Sequence, residues 1–328
     1  MARVLIAYGP TKIGRNRQGK PLLEEHILST VRDVEQALHE KGHRTEKAAL
    51  RRDPRPFVGA VKRFRPDVVF NLCEHIGGDA SLERNAVALF EMLRVPFTGN
   101  PLMALGMCQQ KALTKRILLS ARIPTPEFGL VEMGGKLEGP FVLPAIVKPA
   151  LSDGSLGITA RSVVKSMHAL HGRVEHVHRR FGQAALVERF ISGREVQVAL
   201  LGNERPRILP AAELSYRGLP RRMPRICSYS AKWSPGSAYY RHTNPVIPAK
   251  LPDRARRRVL QAALDTFRLF GLRGYARIDF RVRRDVPFVI DVNPNPDISA
   301  DAGLARAARH ARLTYGDLID AIVRLALE

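Results

Sequence analysis

The stretch VKPALSDGSLGI (147–158) is where the reading of this chain begins. It opens as an apolar strand end, with Lys148 inside it and Pro149 closing it. A loop of small and polar residues follows, carrying Gly154 and Gly157. An unpaired ammonium in an apolar strand is expensive, so Lys148 calls for an anion, and phosphate is a natural one. The glycines let backbone N–H groups come close to phosphate oxygens. The loop does not match GxxxxGK[ST], so it is not a Walker loop. A strand with a snorkelling lysine explains the same residues, so the neighbours have to decide.

On the N-terminal side, RVLIAY (3–8) reads as a buried strand, and 24–43 has the apolar spacing of a helix stopped at Gly42. DVVFNLC (67–73) is a second apolar strand, 81–95 a second helix, and PFTGNP a short strand and turn. This alternation predicts a parallel sheet with ligands at the carboxyl ends of its strands. A linker is expected near 101–105, then a helix over 109–123. On the C-terminal side, 164–180 reads as a helix, and ALVERFISGREVQVALLGN (185–203) as two strands around a Ser192–Gly193 turn. A strand-rich region reaches about residue 245. An amphipathic helix follows Pro252, then two strands over 275–296, then two helices with breaks at Gly303 and Gly316.

The 328 residues imply two or three domains. A hydrophobic fraction of 45% and a charged fraction of 26% describe a soluble globular protein. The opening apolar run is too brief for a signal peptide core, and no run approaches the length of a membrane span, so a cytoplasmic protein is expected. Cys73, Cys108 and Cys227 lack CxxC spacing and argue against a disulfide frame and against a zinc site. The net charge of +22 points to an acidic partner (nucleic acid, an acidic protein or phosphorylated ligands) or to an arginine-rich surface. Aromatics make up only 6%, and no RNA-binding aromatic motif lies among the basic residues, so nucleic acid is disfavoured.

Several residues stand out near the end of the chain. Asp291 and Asn293 in VIDVNPN share a strand face, and Asp279 joins them if the preceding strand is antiparallel. Two carboxylates and an amide oxygen suit magnesium, with phosphate oxygens completing the shell; turn-forming residues at a strand end are the ordinary alternative. Lys111 at a helix start reads more readily as a solvated residue. Glu188 and Glu195 flank the Ser192–Gly193 turn, where they suit an adenine amino group and ribose hydroxyls, or water.

In their order, these segments resemble the ATP-grasp superfamily and, within it, the D-alanine–D-alanine ligases and close relatives. The resembling segments are PFTGNPLMALGMCQQKALTKRILLSARIPTPEF, IVKPALSDGSLGI, LVERFISGREVQVALLGN, GYARIDFR and DVNPNPDIS, and they span nearly the whole chain. The resemblance implies an α/β fold, α+β in its C-terminal half. Residues 1–103 would form a Rossmann-like parallel-sheet domain. Residues 104–188 would form a central subdomain with a mobile lid loop, and 189–328 a C-terminal subdomain with the metal and substrate sites. ATP would lie between the last two.

By the same resemblance, Lys111 and Lys148 contact ATP phosphates, and Ser155 sits in the lid. Glu188, Arg189 and Ile191 form the adenine hinge, the last two through their backbones, and Glu195 holds ribose. Lys232 reaches the terminal phosphate. Asp279, Asp291 and Asn293 hold magnesium, with manganese as an alternative. Arg277 stabilises an acyl phosphate and the tetrahedral intermediate. Glu25 anchors the ammonium of the first substrate. The implied reaction is ATP-dependent formation of an amide between two amino acids, with D-alanyl-D-alanine for the cell wall as one outcome.

The chain departs from the family pattern near the pocket. Asp291 replaces a glutamate, Trp233 a tyrosine, and Asp297 a glycine, while Glu74 stands where a histidine is usual. Two alternatives therefore stay open: a ligase acting on an acidic carrier protein, and a non-catalytic ATP-binding relative. The family is often homodimeric, so a homodimer is an expectation too.

Overall fold

The structure is a computed structural model. It describes residues 1–10, 22–137, 141–152 and 154–328, with side chains in the first helix from residue 27 onward. The first segment comprises β1 (Arg3–Tyr8), α1 (Leu22–Glu40), β2 (Arg44–Ala49), α2 (Arg55–Phe64), β3 (Val68–Leu72), α3 (Glu83–Met92), α4 (Leu102–Gln109) and α5 (Lys111–Ser120). Then come β4 (Phe128–Val131), β5 (Ala145–Pro149), β6 (Val163–Val164), α6 (Met167–Phe181) and β7 (Ala185–Arg189). The last part holds β8 (Arg194–Leu201), β9 (Arg207–Ile208), β10 (Ala212–Ser215), α7 (Tyr229–Trp233), α8 (Ala238–His242) and β11 (Asn244–Val246). It ends with α9 (Asp253–Leu269), β12 (Tyr275–Arg283), β13 (Val286–Asn293), α10 (Gly303–His310) and α11 (Tyr315–Leu327).

The first sheet is parallel, in order β2-β1-β3. Its central strand is buried on both faces. Val4 and Ile6 pack towards α1, α10 and α11, and Leu5 and Ala7 towards α2 and α3. That two-sided burial is why RVLIAY reads as an unbroken apolar run. The RTEKAA strand β2 escaped prediction because it is the edge, with half-exposed charged side chains.

The second sheet runs β4-β7-β5-β6 and is antiparallel. Its face of Ala145, Val147, Ala185 and Val187 packs on α6. The third has the order β11-β10-β8-β12-β13, with β9 on β8, also antiparallel. Val196, Val198, Ile278 and Phe280 on one of its faces cover α9. The α/β class with an antiparallel C-terminal half is borne out.

Three expectations are corrected. The two strands around Ser192–Gly193 do not pair: β7 belongs to the second sheet and β8 to the third, so the turn is a joint between sheets. A Cβ at Gly193 would lie 2.2 Å from the Val282 carbonyl oxygen, which is why the joint needs glycine. The expected linker near 101–105 is the start of α4, whose apolar run LMALGMC hides its ends. Gly303 and Gly316 lie at the starts of α10 and α11 and break neither helix.

Candidate active site

The antiparallel hairpin β12–β13 sets Asp279 opposite Asp291 and Arg277 opposite Asn293. On the other side β8 sets Gln197 opposite Asp279 and Glu195 opposite Arg281. Alternation therefore places Glu195, Gln197, Arg277, Asp279 and Arg281 on one sheet face. The same face becomes apolar further along, at Ala199, Leu201 and Tyr275, where it joins the core with α10 and α11.

Facing it across an open cleft is the β5–β7 edge of the second sheet. The cavity is lined by Lys111, Lys148, Ser155, Glu188, Arg189, Ile191, Glu195, Lys232, Arg277, Asp279, Asp291 and Asn293. All the residues expected at nucleotide or metal thus meet in one place, from both sheets, from α5 and α7, and from the loop after β5.

Lys148 does find an anion, but within the protein. Its Nζ lies 3.0 Å from Glu188 Oε1, while Lys115 Nζ lies 3.4 Å from Oε2. Lys115 also donates to Thr125 Oγ1 at 2.9 Å, and Thr125 donates to the Val289 carbonyl at 2.8 Å, which ties α5 to β13. Burial raises the Glu188 pKa, but Lys115 and then Lys148 outweigh it and hold the carboxyl below its usual range. Burial lowers Lys115 to about 8 despite the neighbouring carboxylate. Two lysines around one carboxylate leave a surplus positive charge at the cavity floor. Each Glu188 oxygen keeps a second lone pair for an amino group.

Arg277 grips Asp279 with both arms, Nε to Oδ1 at 2.7 Å and a terminal nitrogen to Oδ2 at 3.0 Å. Burial pushes Asp279 up more than Arg277 brings it down, so its pKa lies above the ordinary value. Asp291 behaves oppositely: burial opposes its charge, but Lys111, first among the cations, lowers it on balance. The Lys111–Asp291 distance is 3.6 Å. Gln197 Nε2 lies 3.4 Å from Asp279 Oδ2.

The donor chemistry fits a hard cation. Asp279, Asp291 and Asn293 offer oxygen only, on adjacent strands. Among the described residues no group of three or more His, Cys, Asp or Glu could hold a metal ion.

The loop after β5 closes over this floor. Ser155 Oγ donates to the Cys227 carbonyl at 3.0 Å, and the Trp233 indole donates to the Gly154 carbonyl at 3.4 Å. Gly154, Ser155 and Gly157 all have positive φ. At Gly157 a Cβ would meet Pro149 at 2.7 Å and Phe181 at 2.9 Å, so only glycine fits.

The residues expected at the amino-acid substrates stand apart from this lining. Glu74 is exposed just beyond β3, Trp233 is 44% exposed, and Asp297 is an exposed turn residue accepting from the Ser299 N–H. Burial chiefly, then Glu83, Glu74, Tyr315 and Asp297, push the Tyr275 phenol up, so Glu74 and Asp297 act on one region. The side chain of Glu25 lies outside the described residues.

Sequence reasoning missed Lys115, Gln197, Tyr216 and Arg281. Lys115 stands one helical turn after Lys111, and Arg281 one strand repeat after Asp279, so periodicity carried a signal for both.

Three sheets with a lidded cavity between the second and third define an ATP-grasp architecture. The profile of the D-ala D-ala ligase C-terminus family matches residues 125–324. The D-alanine–D-alanine ligase of Moorella thermoacetica is 33% identical over 325 residues, covering 94% of this chain and 97% of its own length. That of Pelotomaculum thermopropionicum is 31% identical over 331 residues, covering 97% of each. The crystal structure of D-alanine–D-alanine ligase from Bacillus anthracis complexed with ATP shares the fold, with a TM-score of 0.76 and 19% identity over 100% of this chain and 97% of that one. The chain belongs to the D-alanine–D-alanine ligase family.

Proposed function

We propose that this chain is an ATP- and magnesium-dependent ligase that joins two amino acids by a peptide bond, with D-alanyl-D-alanine for cell-wall synthesis as the leading product. One observation carries the reading: Lys111, Lys148, Lys232 and Arg277 line the same cavity as Asp279, Asp291 and Asn293. Four cations beside a hard-metal donor set suit a triphosphate. Family membership supports the same conclusion.

The chemistry follows from that charge layout. A carboxylate resists attack by an amine until one of its oxygens becomes a leaving group. Phosphoryl transfer from ATP to the first amino acid makes that acyl phosphate, and the second amine displaces phosphate. Lys111, Lys148 and Lys232 offset the crowded charge, and Arg277 faces the reacting acyl group. Glu188 with the backbones of Arg189 and Ile191 receives adenine, and Glu195 receives ribose. Asp279, Asp291 and Asn293 would hold magnesium, which would draw negative charge from the phosphates. The loop around Ser155 keeps water from the acyl phosphate. Glu25, Glu74, Trp233 and Asp297 are our candidates for amino-acid recognition.

The test is ADP release with magnesium and ATP against D- and L-amino acids, with products identified by mass. D-alanine-dependent ADP release and a dipeptide are expected; ADP release with no amino acid on the panel would overturn the reading. The net charge of +22 supports a second reading, an acidic carrier as acceptor. Turnover falling steeply with salt would favour it.

A further inference from the structure

Arg281 is a charged residue on β12 whose position invites a non-polar one. It is 5% exposed, on the sheet face that carries Asp279 and opposite Glu195 in register. Its guanidinium lies 2.7 Å from Glu195 Oε2 and 3.2 Å from the Gly193 carbonyl oxygen, and it also donates to the Arg225 carbonyl. Its carbon centre stands 5.4 Å from the centroid of the Phe190 ring. A carboxylate, two carbonyls and an aromatic face thus surround one planar cation. A lysine, with a point charge and no fork, does not reproduce this arrangement.

The geometry at Glu195 is one-sided. Oε2 is ion-paired with the Arg281 guanidinium and accepts from the Tyr216 hydroxyl at 2.6 Å. Burial first, and the Glu195 charge second, push the Tyr216 phenol well up, so it remains a donor. Oε1 receives no hydrogen bond from the described residues, and Glu195 lines the cavity. One oxygen is anchored, and the other is left for a ligand.

Arg281 also reaches the segment on which the lid rests. Two residues beyond Arg225, the Cys227 carbonyl accepts from Ser155, and the Tyr229 N–H donates to the Ile158 carbonyl at 2.9 Å. One guanidinium therefore joins the 190–193 joint, the Glu195 carboxylate and the seat of the lid.

We infer that Arg281 is a positioning residue that fixes Glu195 for a sugar hydroxyl and couples that carboxylate to the docking of the lid. The inference rests on the assignment of Glu195 to ribose and adds the residue that makes the assignment work. Buried networks of this kind are worth most when every member is satisfied, and removing the central cation leaves Glu195 desolvated and loosely aimed.

The test is calorimetric binding of ADP and of 2′-deoxy-ADP, each with magnesium, which needs no knowledge of the amino-acid substrates. Wild type is expected to prefer ADP by about tenfold, the worth of one hydrogen bond to a charged group. In Arg281→Met that preference is expected to collapse towards unity, chiefly through weaker ADP binding. Tyr216→Phe, which removes one Oε2 donor and keeps the ring, is expected to move the ratio in the same direction by less. A general folding defect weakens both nucleotides alike and leaves the ratio in place. A wild-type ratio in Arg281→Met overturns the inference and leaves the ribose assignment standing. No preference in wild type overturns the assignment and the inference with it.

The coupling has its own readout, because Trp233 is the only tryptophan and touches the lid. Its emission is expected to shift to the red in nucleotide-free Arg281→Met and to stay in place in Glu195→Gln. An unshifted spectrum in Arg281→Met overturns the coupling.

Discussion

Asp279 and Asp291 face each other across the β12–β13 hairpin, and each answers to a different cation. Asp279 is clasped by Arg277 from its own strand, while Asp291 looks towards Lys111 on α5. The two carboxylates are thus held by separate elements, one from its own strand and one from α5.

Asp291→Ala is expected to abolish ADP formation, a loss of at least about a hundredfold, because it removes a proposed metal ligand and the anion facing Lys111. Lys148→Ala should do the same by removing a phosphate-facing cation. Steady-state ADP release checks both, and near-normal turnover in either variant contradicts the site.

Lys115→Met leaves a buried carboxylate with one lysine in place of two. Burial disfavours the Lys115 charge more than Glu188 supports it, so near neutrality Lys115→Met is expected to cost less than the about 3–5 kcal/mol of an ordinary buried pair broken from one side, and the Lys115→Met/Glu188→Gln double variant is expected to be non-additive. Urea unfolding of the two single variants and the double variant measures the difference.

The same lysine gives a pH signature. In the folded protein Lys115 loses its proton near pH 8, and in the unfolded chain near its ordinary value of 10.5. Between these values the unfolded chain binds more protons, so stability contributed at this position rises with pH across the window. Below about 8 the penalty for burying the charge is present in full. Wild type is expected to gain on Lys115→Met between pH 8 and 10, and a flat difference would contradict the burial.

His43 and Asp320 form a buried contact at 2.9 Å between the start of β2 and α11, and Arg324 joins the same carboxylate. Burial opposes the Asp320 charge, yet Arg324 and His43 lower its pKa on balance. A depressed carboxyl contributes stability above its ordinary pKa and loses it as pH falls through the folded value. Asp320→Asn should therefore cost about 2 kcal/mol near neutrality and show a shallower acid limb below pH 4 in thermal unfolding.

Trp233→Tyr is expected to change which amine is accepted while leaving the ATP Michaelis constant nearly untouched, since Trp233 touches the lid and stands outside the cavity lining. Initial-rate kinetics with a panel of acceptors checks it. A large loss of nucleotide affinity would give Trp233 a different role.

The strands with two buried faces or strict alternation were legible because a period of two survives any tertiary context, and so were Lys148, Asp279 and Asp291, which interrupt it. What stayed hidden depends on contacts between distant segments. That β7 and β8 part into different sheets at Gly193 is written in the Val282 carbonyl, ninety residues away in the chain. That Lys148 is answered by Glu188, with Lys115 on its other oxygen, emerges only when α5 and β7 meet. RTEKAA went unassigned because an edge strand need bury little, and α4 vanished into an apolar stretch with no side-chain cap to mark it.

The core that seats β1 and β3 includes Leu318, Ile319, Ile322 and Val323 of α11, so residues near the two ends of the polymer complete one another. During synthesis β1–β3 leave the ribosome well before α11, so one flank of the first sheet stays uncovered until that helix follows. Domains usually fold as they appear, N-terminal first. Here β1 and β3 must wait for α11, and a truncation that removes α11 would leave one face of the first sheet uncovered.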